Sequence, residues 1–185
     1  GLANLTIEPL PGLARIPAPD ENGTSFGENA SIKAEYYSSF TEELVLADDS
    51  GLEVMALEGA PGIHSARYAG PDATAAVNNE LLLRHLENQK NRWARFVCCV
   101  ALARAGRVLT VAQGIAEGEI LSSRRGDGGF GYDPLFFYPP LHRTFAELTA
   151  NQKLVVSHRG QALRNLFTYL SQSVGKTPLT SAKIG

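Results

Sequence analysis

Leu44-Val45-Leu46-Ala47-Asp48-Asp49-Ser50-Gly51 is the stretch on which the reading of the fold turns. Four apolar residues in an unbroken run mark a strand buried on both faces, as in a sheet covered by helices. The run is expected to stop at Asp48, where two carboxylates, a serine and a glycine follow. Adjacent acids at the end of a buried strand lose hydration and repel one another unless a cation sits beside them. Strand ends are also where α/β folds place ligands. A hard cation that takes oxygen ligands and contacts substrate phosphates is Mg²⁺. The same tetrapeptide also reads as a solvated Asx turn with Gly51 supplying a positive φ, and on these residues alone both readings stand.

Upstream, Ser25 with Glu28 three residues on forms a capping-box signature, and Phe26, Ala30, Ala34 and Tyr37 fall on one helical face. Residues 1–20, rich in Pro and Gly, read as an irregular lead-in. Downstream, turns are expected at Gly59–Gly62 and Gly70–Asp72, then a helix capped by Asp72 or Thr74 and carrying Val77, Leu81, Leu82 and Leu86. Arg95–Ala103 and Arg107–Gly114, joined at Ala105-Gly106, read as a hairpin, with Ile115–Leu121 as a further strand. Thr144 with Glu147 makes a second capping box. Leu163, Leu166, Phe167, Leu170 and Val174 outline a last helix, and the tail beyond Gly175 reads as frayed. The sum is a single mixed α/β domain over residues 1–185, built of one or two lobes.

The composition is that of a globular chain, with 44% apolar and 19% charged residues. A net charge of −2 supplies no bulk attraction to nucleic acid or to an anionic membrane. No apolar run is long enough to span a bilayer, and no secretory signal is evident, so a cytoplasmic protein is expected. Cys98 and Cys99 are adjacent, unsuited to a routine disulfide or a metal knuckle, and read as reduced strand residues. No Walker loop, nucleophile elbow or zinc-spaced histidine pair is present.

Several other segments carry candidate chemistry. Glu28 has a structural explanation as a capping residue, and Glu21 reads as a turn carboxylate unless its loop folds over the strand end. Phe130 lies between Gly129 and Gly131 in a glycine-rich loop, where an aromatic ring can stack on a nucleobase or anchor the loop in the core. Ser157-His158-Arg159-Gly160 opens the last helix, where free N–H groups and the positive dipole end favour anions and carbonyl oxygens. Lys33 and Lys153 read singly as ordinary solvated lysines.

Taken together, five stretches resemble the ITPase (Ham1-like) family of non-canonical purine nucleoside triphosphate pyrophosphatases. They are Ser25-Phe26-Gly27-Glu28-Asn29-Ala30 with Lys33-Ala34; Ala47 to Val54; Gly59-Ala60-Pro61-Gly62-Ile63 with Ser65-Ala66-Arg67-Tyr68; Gly129 to Pro134 with Phe136; and Ser157 to Leu163. They occur in the family's order from about Glu21 to Leu170. The resemblance implies an α/β fold of Maf/Ham1 architecture, with a central mixed sheet, flanking helices and two lobes around a cleft, usually as a homodimer. It implies hydrolysis of ITP, dITP or XTP to the monophosphate and pyrophosphate, with Mg²⁺. It further implies Asp49 as general base and metal ligand, Glu21 as second metal contact, and Asp48 and Glu28 in support. Ser50, Lys33 and Lys153 would face phosphates or ribose. Phe130 would stack on the base beside Gly131, Tyr132 and Asp133, and His158 and Arg159 would address the purine 6-oxygen.

One departure stands out. The family's opening strand and its [ST]-x-N-x-x-K phosphate loop have no counterpart at Gly1-Leu2-Ala3-Asn4, and the expectation is a chain given without its natural N-terminus. Two rival readings remain: a nucleotide-binding module without turnover, and a pyrophosphatase for other modified nucleotides.

Overall fold

The computed structural model describes residues 6–173 and 182–184. In chain order these form β1 (Ile7–Pro9), α1 (Phe26–Ser38), β2 (Leu44–Val54), α2 (Ala75–His85), β3 (Trp93–Arg104), β4 (Arg107–Ile120), β5 (Phe136–Tyr138), β6 (Arg143–Thr144), α3 (Ala150–Val156), α4 (His158–Ser173) and β7 (Ala182–Ile184). The strands make one mixed sheet in the order β1-β7-β2-β3-β4-β5-β6. β7 pairs in parallel with both β1 and β2, whereas β4-β5 and β5-β6 are antiparallel.

The chain resolves into two compact units, one comprising Gly1–Asp49, Cys98–Gly114 and Gln161–Gly185, the other Ser50–Val97 and Ile115–Gly160. In the first, β2 is buried on both faces, as its apolar run requires. Leu44 and Leu46 pack with Cys98, Val100 and Leu102 of β3 against Ala162, Leu166 and Leu170 of α4. Val45, pointing the other way, meets Tyr37 of α1 and Leu10. In the second unit the same strands become one-sided. Leu52, Val54, Ala94, Phe96, Ala116 and Ile120 join Phe136, Phe145 and the α2 leucines Leu82 and Leu86 in one core. On the intervening positions Glu53 accepts from Arg95 Nε at 2.6 Å, so this face is polar.

Several expectations need correction. Residues 7–9 of the lead-in are a strand, because their backbone pairs with β7. β2 does not stop at Asp48 but continues to Val54, its three polar residues only half-buried while Gly51 and Leu52 return to the interior. Ile115–Ile120 is not a separate strand but the continuation of β4. α2 starts at its Thr74 cap as expected, yet Val77 is exposed and the buried positions of its first turns are Asn78 and Asn79. The Ser25 cap accepts from Glu28 N at 3.2 Å, but the Glu28 carboxylate reaches Thr24 N and Oγ1. Thr144 and Glu147 do form a capping box, around a 3₁₀ turn. α3, with a Thr149–Gln152 box of its own, is an element beyond those the sequence pattern predicts. The tail contains β7; Val174, the rest of the tail and the Gly1–Asn4 start lie outside the described residues.

Gly118 shows how closely β5 is seated on β4. A Cβ there would come within 2.3 Å of the Phe137 carbonyl oxygen and 2.8 Å of the Phe136 ring. Gly118→Ala therefore forces β5 off its register, and urea unfolding should register a loss of about 1–3 kcal/mol. An unchanged midpoint would show that β5 can move without cost.

Candidate active site

Three of the candidate residues, Glu21, Lys33 and Asp49, gather around β2 and α1. Lys33 Nζ donates to Asp49 Oδ1 at 3.0 Å and to Glu21 Oε2 at 3.1 Å, so one ammonium is shared by two carboxylates. The other Asp49 oxygen accepts from Asn29 Nδ2 at 3.3 Å. Asn29 and Lys33 stand four residues apart on α1, the spacing that puts two side chains on one helical face. Asn29 is itself fixed, its Oδ1 accepting from Gly23 N at 2.9 Å. Burial pushes Asp49 above the ordinary carboxylate range, outweighing the downward pull of Lys33 and Asn29. Burial also works against the Lys33 charge, but its bonds to Asp49 and Glu21 hold it above the usual lysine value.

Asp48 and Glu28 are placed differently. Successive strand residues face opposite ways, and Asp48 Oδ2 lies 3.7 Å from Cys98 Sγ of β3. Glu28 is spent on Thr24, whose backbone N–H and hydroxyl hold its pKa below the ordinary glutamate value. Among the described residues no three His, Cys, Asp or Glu side chains form a ready-made cage. Two carboxylates sharing one positive charge nevertheless match the donor set Mg²⁺ takes, which is one or two carboxylates completed by water and substrate phosphates. Glu21 and Asp49 are the residues present that fit it.

The second group belongs to the Ser50–Val97 and Ile115–Gly160 unit and lines two cavities, of about 170 and 340 Å³, that share Phe130 and His158. Phe130 is 63% exposed, which places its ring in the cavities rather than in the core. Lys153 Nζ lies 4.3 Å from its centroid and Arg159 Cζ 5.8 Å, as cations are drawn to a ring face. The Lys153 ammonium also pairs with the buried Asp133 carboxylate, which accepts in turn from Phe130 N at 2.7 Å. Arg159 Nη2 donates to Ser50 Oγ at 3.3 Å. Gly131 and Tyr132 line the smaller cavity, and the Tyr132 hydroxyl donates to the Ser65 carbonyl at 2.9 Å.

His158 is the first residue of α4, whose N-terminus Ser157 caps by accepting from Gly160 N at 3.1 Å. Its ring stacks on Phe96 at 4.7 Å and 11°. Burial, with the positive charges of Arg159 and Lys153, lowers its pKa to about 3, so the imidazole is neutral at physiological pH. Its Nδ1 is buried with no hydrogen-bond partner among the described residues. A neutral imidazole presents one donor and one acceptor, which suits reading a carbonyl rather than binding a phosphate.

Asn29, Ser65 and Phe96 belong to these sites and are not among the candidate residues of the sequence. Asn29 carried a signal, being a polar residue on the otherwise apolar face of α1. Ser65 carries one only through the family-like stretch Ser65-Ala66-Arg67-Tyr68, and Phe96 carries none, since a phenylalanine in a strand is ordinary.

The sequence model of the Ham1 family matches residues 2–169. A dITP/XTP pyrophosphatase of an Exiguobacterium species is 54% identical over 161 residues, covering 86% of this chain and 82% of the relative. One from Acidobacterium capsulatum is 49% identical over 173 residues, covering 89% and 85%. Among solved structures, the Staphylococcus aureus Ham1 protein aligns with a TM-score of 0.82 at 42% identity, over 87% of this chain and 84% of that one. A HAM1 protein from Coxiella burnetii aligns with a TM-score of 0.80 at 44% identity, over 85% and 82%.

The depressed His158 pKa sets a stability trend. Between its ordinary value of 6.5 and about 3 the unfolded chain takes up a proton that the folded protein refuses. The contribution is full above pH 6.5 and is lost as pH falls toward 3. His158→Gln should therefore flatten the fall of Tm over that window relative to the parent protein. An identical slope would mean that the ring accepts its proton in the fold.

Proposed function

This chain belongs to the Ham1 family, and from that membership we propose that it hydrolyses non-canonical purine nucleoside triphosphates, ITP, dITP and XTP, to the monophosphate and pyrophosphate. The observation that carries the reading is Asp49, a half-buried carboxylate oriented at both oxygens by Asn29 and Lys33. A carboxylate with a raised pKa, fixed in place and backed by a lysine, is suited to taking a proton from water.

In the proposed reaction the water oxygen bonds to the α-phosphorus as its proton passes to Asp49. The bond from the α-phosphorus to the α–β bridging oxygen breaks, and pyrophosphate departs. Mg²⁺, when held by Glu21 and Asp49, would neutralise charge on the phosphate oxygens. Lys33 adds a positive charge to the same cluster.

Base recognition falls to the cavities around Phe130, whose exposed ring offers a stacking face with Gly131, Tyr132 and Asp133 beside it. A 6-oxo purine presents an acceptor there to donors of His158 or Arg159. Adenine presents an amino group instead, which leaves a buried donor unpaired at about 1–3 kcal/mol. Ser50 and Lys153 complete the substrate contacts. The same proposal includes a cytoplasmic homodimer acting on small nucleotides, with no nucleic-acid or membrane partner. The net charge of −2 supplies no bulk attraction to nucleic acid or to an anionic membrane, and no helix among the described residues is long and apolar enough to cross a bilayer.

The test is pyrophosphate release with Mg²⁺ from ITP, XTP, GTP and ATP. Release from ITP and XTP far above ATP is expected. Tight ITP binding with no release would instead make the protein a nucleotide-binding module. Asp49→Asn should lower kcat by about 10²–10⁴-fold with the fold intact by circular dichroism, and near-normal turnover would remove Asp49 from the base role. Arg159→Ala should narrow the ITP-to-ATP ratio of kcat/KM by about tenfold or more, and an unchanged ratio would remove Arg159 from base reading.

A further inference from the structure

α2 carries two buried asparagines in succession, Asn78 and Asn79. Neighbouring helical positions point about 100° apart, and the two amides serve different segments. Asn78 accepts from Ala69 N at 2.8 Å and donates to the Ala66 carbonyl at 3.0 Å. Asn79 Nδ2 donates to the Gly131 carbonyl at 3.1 Å. Ala66 and Gly131 both line the smaller cavity.

Asn79 is a poor choice for stability. Its Oδ1 is buried without a partner among the described residues, which costs free energy that an apolar side chain of similar shape avoids. Asparagine is also a weaker helix former than leucine. What the amide supplies is one directional bond to the loop that carries Phe130. That loop needs one, because Gly129 and Gly131, at φ 74° and 59°, give Phe130 flexible backbone on either side. Asp133 holds the loop at the Phe130 N–H, and Asn79 holds it at the Gly131 carbonyl.

We propose that Asn79 is a positioning residue for substrate: acting through Gly131, it fixes the plane of the Phe130 ring on which the base stacks. The inference rests on the base-recognition role assigned above to these cavities. A positioning role raises KM while Tm stays nearly constant, whereas a merely structural role lowers Tm and leaves KM alone.

Asn79→Leu should change Tm little, the removal of the unpartnered Oδ1 offsetting the Gly131 carbonyl left without its donor. Amide exchange should speed up at Phe130 and Asp133, whose N–H groups bond within the loop. KM for ITP should rise about five- to tenfold, the scale of one lost hydrogen bond, with kcat altered far less. Asn79→Asp, which keeps the shape and replaces the donor by an acceptor, should raise KM at least as much. A lowered Tm with unchanged KM in the leucine variant would overturn the proposal, as would unchanged exchange in the loop. If the parent protein releases no pyrophosphate from ITP, the proposed substrate falls, and ITP affinity by calorimetry takes the place of KM. Equal affinity in parent and leucine variant, or no binding by the parent, would then overturn the positioning role.

Discussion

A carboxylate in the middle of a strand is the constraint to which the surrounding structure answers. Asp49 is the sixth residue of an eleven-residue strand, where it can neither turn into solvent as at a strand end nor stay unpaired. Its two oxygens require two donors, and α1 supplies both from one face, four residues apart. That fixes the rotation of α1 against β2, which in turn decides that Ala30 and Ala34, fully buried, are the small residues on the packing face. Gly23 follows from the same requirement, since a Cβ there would lie 2.6 Å from Asn29 Oδ1. The lysine is doubly engaged, and its second carboxylate, Glu21, comes from the loop that precedes α1.

The cavities around Phe130 solve a different problem, the holding of positive charge near a neutral base reader. Lys153 and Arg159 lie close enough to the His158 ring to depress its basicity, and burial does the larger share. A protonated imidazole would serve phosphate as readily as a carbonyl, whereas a neutral one has a fixed hydrogen-bond polarity. The cations are themselves occupied, Lys153 by the Asp133 carboxylate and Arg159 by the Ser50 hydroxyl, so neither is a bare charge waiting for a phosphate.

Much of this was legible in the sequence, and what was not has identifiable causes. The apolar run at Leu44–Ala47, the Ser25 cap and the Leu166–Leu170 helix are local signals, and each element stands where its signal puts it. Of the candidate residues, Glu21, Lys33 and Asp49 come together, as do Phe130, Lys153 and Arg159, while Asp48 and Glu28 are engaged with Cys98 and Thr24. The failures are non-local. β2 runs past Asp48 because pairing with neighbouring strands overrides the turn propensity of Asp-Asp-Ser-Gly. β1 exists only by virtue of its partner β7, far along the chain. The buried face of α2 was misjudged because its asparagines bond to segments 12 and 52 residues away, and no periodicity encodes such partners.

That misjudgement has a general reason. An amphipathic reading assigns polar residues to solvent, and it fails where a buried amide is held by hydrogen bonds to other segments rather than by packing. Asn29, Asn78 and Asn79 are all of this kind, each less than 5% exposed, and each bonds the backbone or a side chain of a segment bearing candidate chemistry. Asparagine suits the task because its amide donates and accepts without charge, so it can be buried beside Asp49 or a carbonyl without adding a second ion to desolvate. In this fold a polar residue on an apolar helical face therefore marks the scaffolding of a site. The sequence pattern that defeats a burial prediction is the one that locates the residues supporting the chemistry.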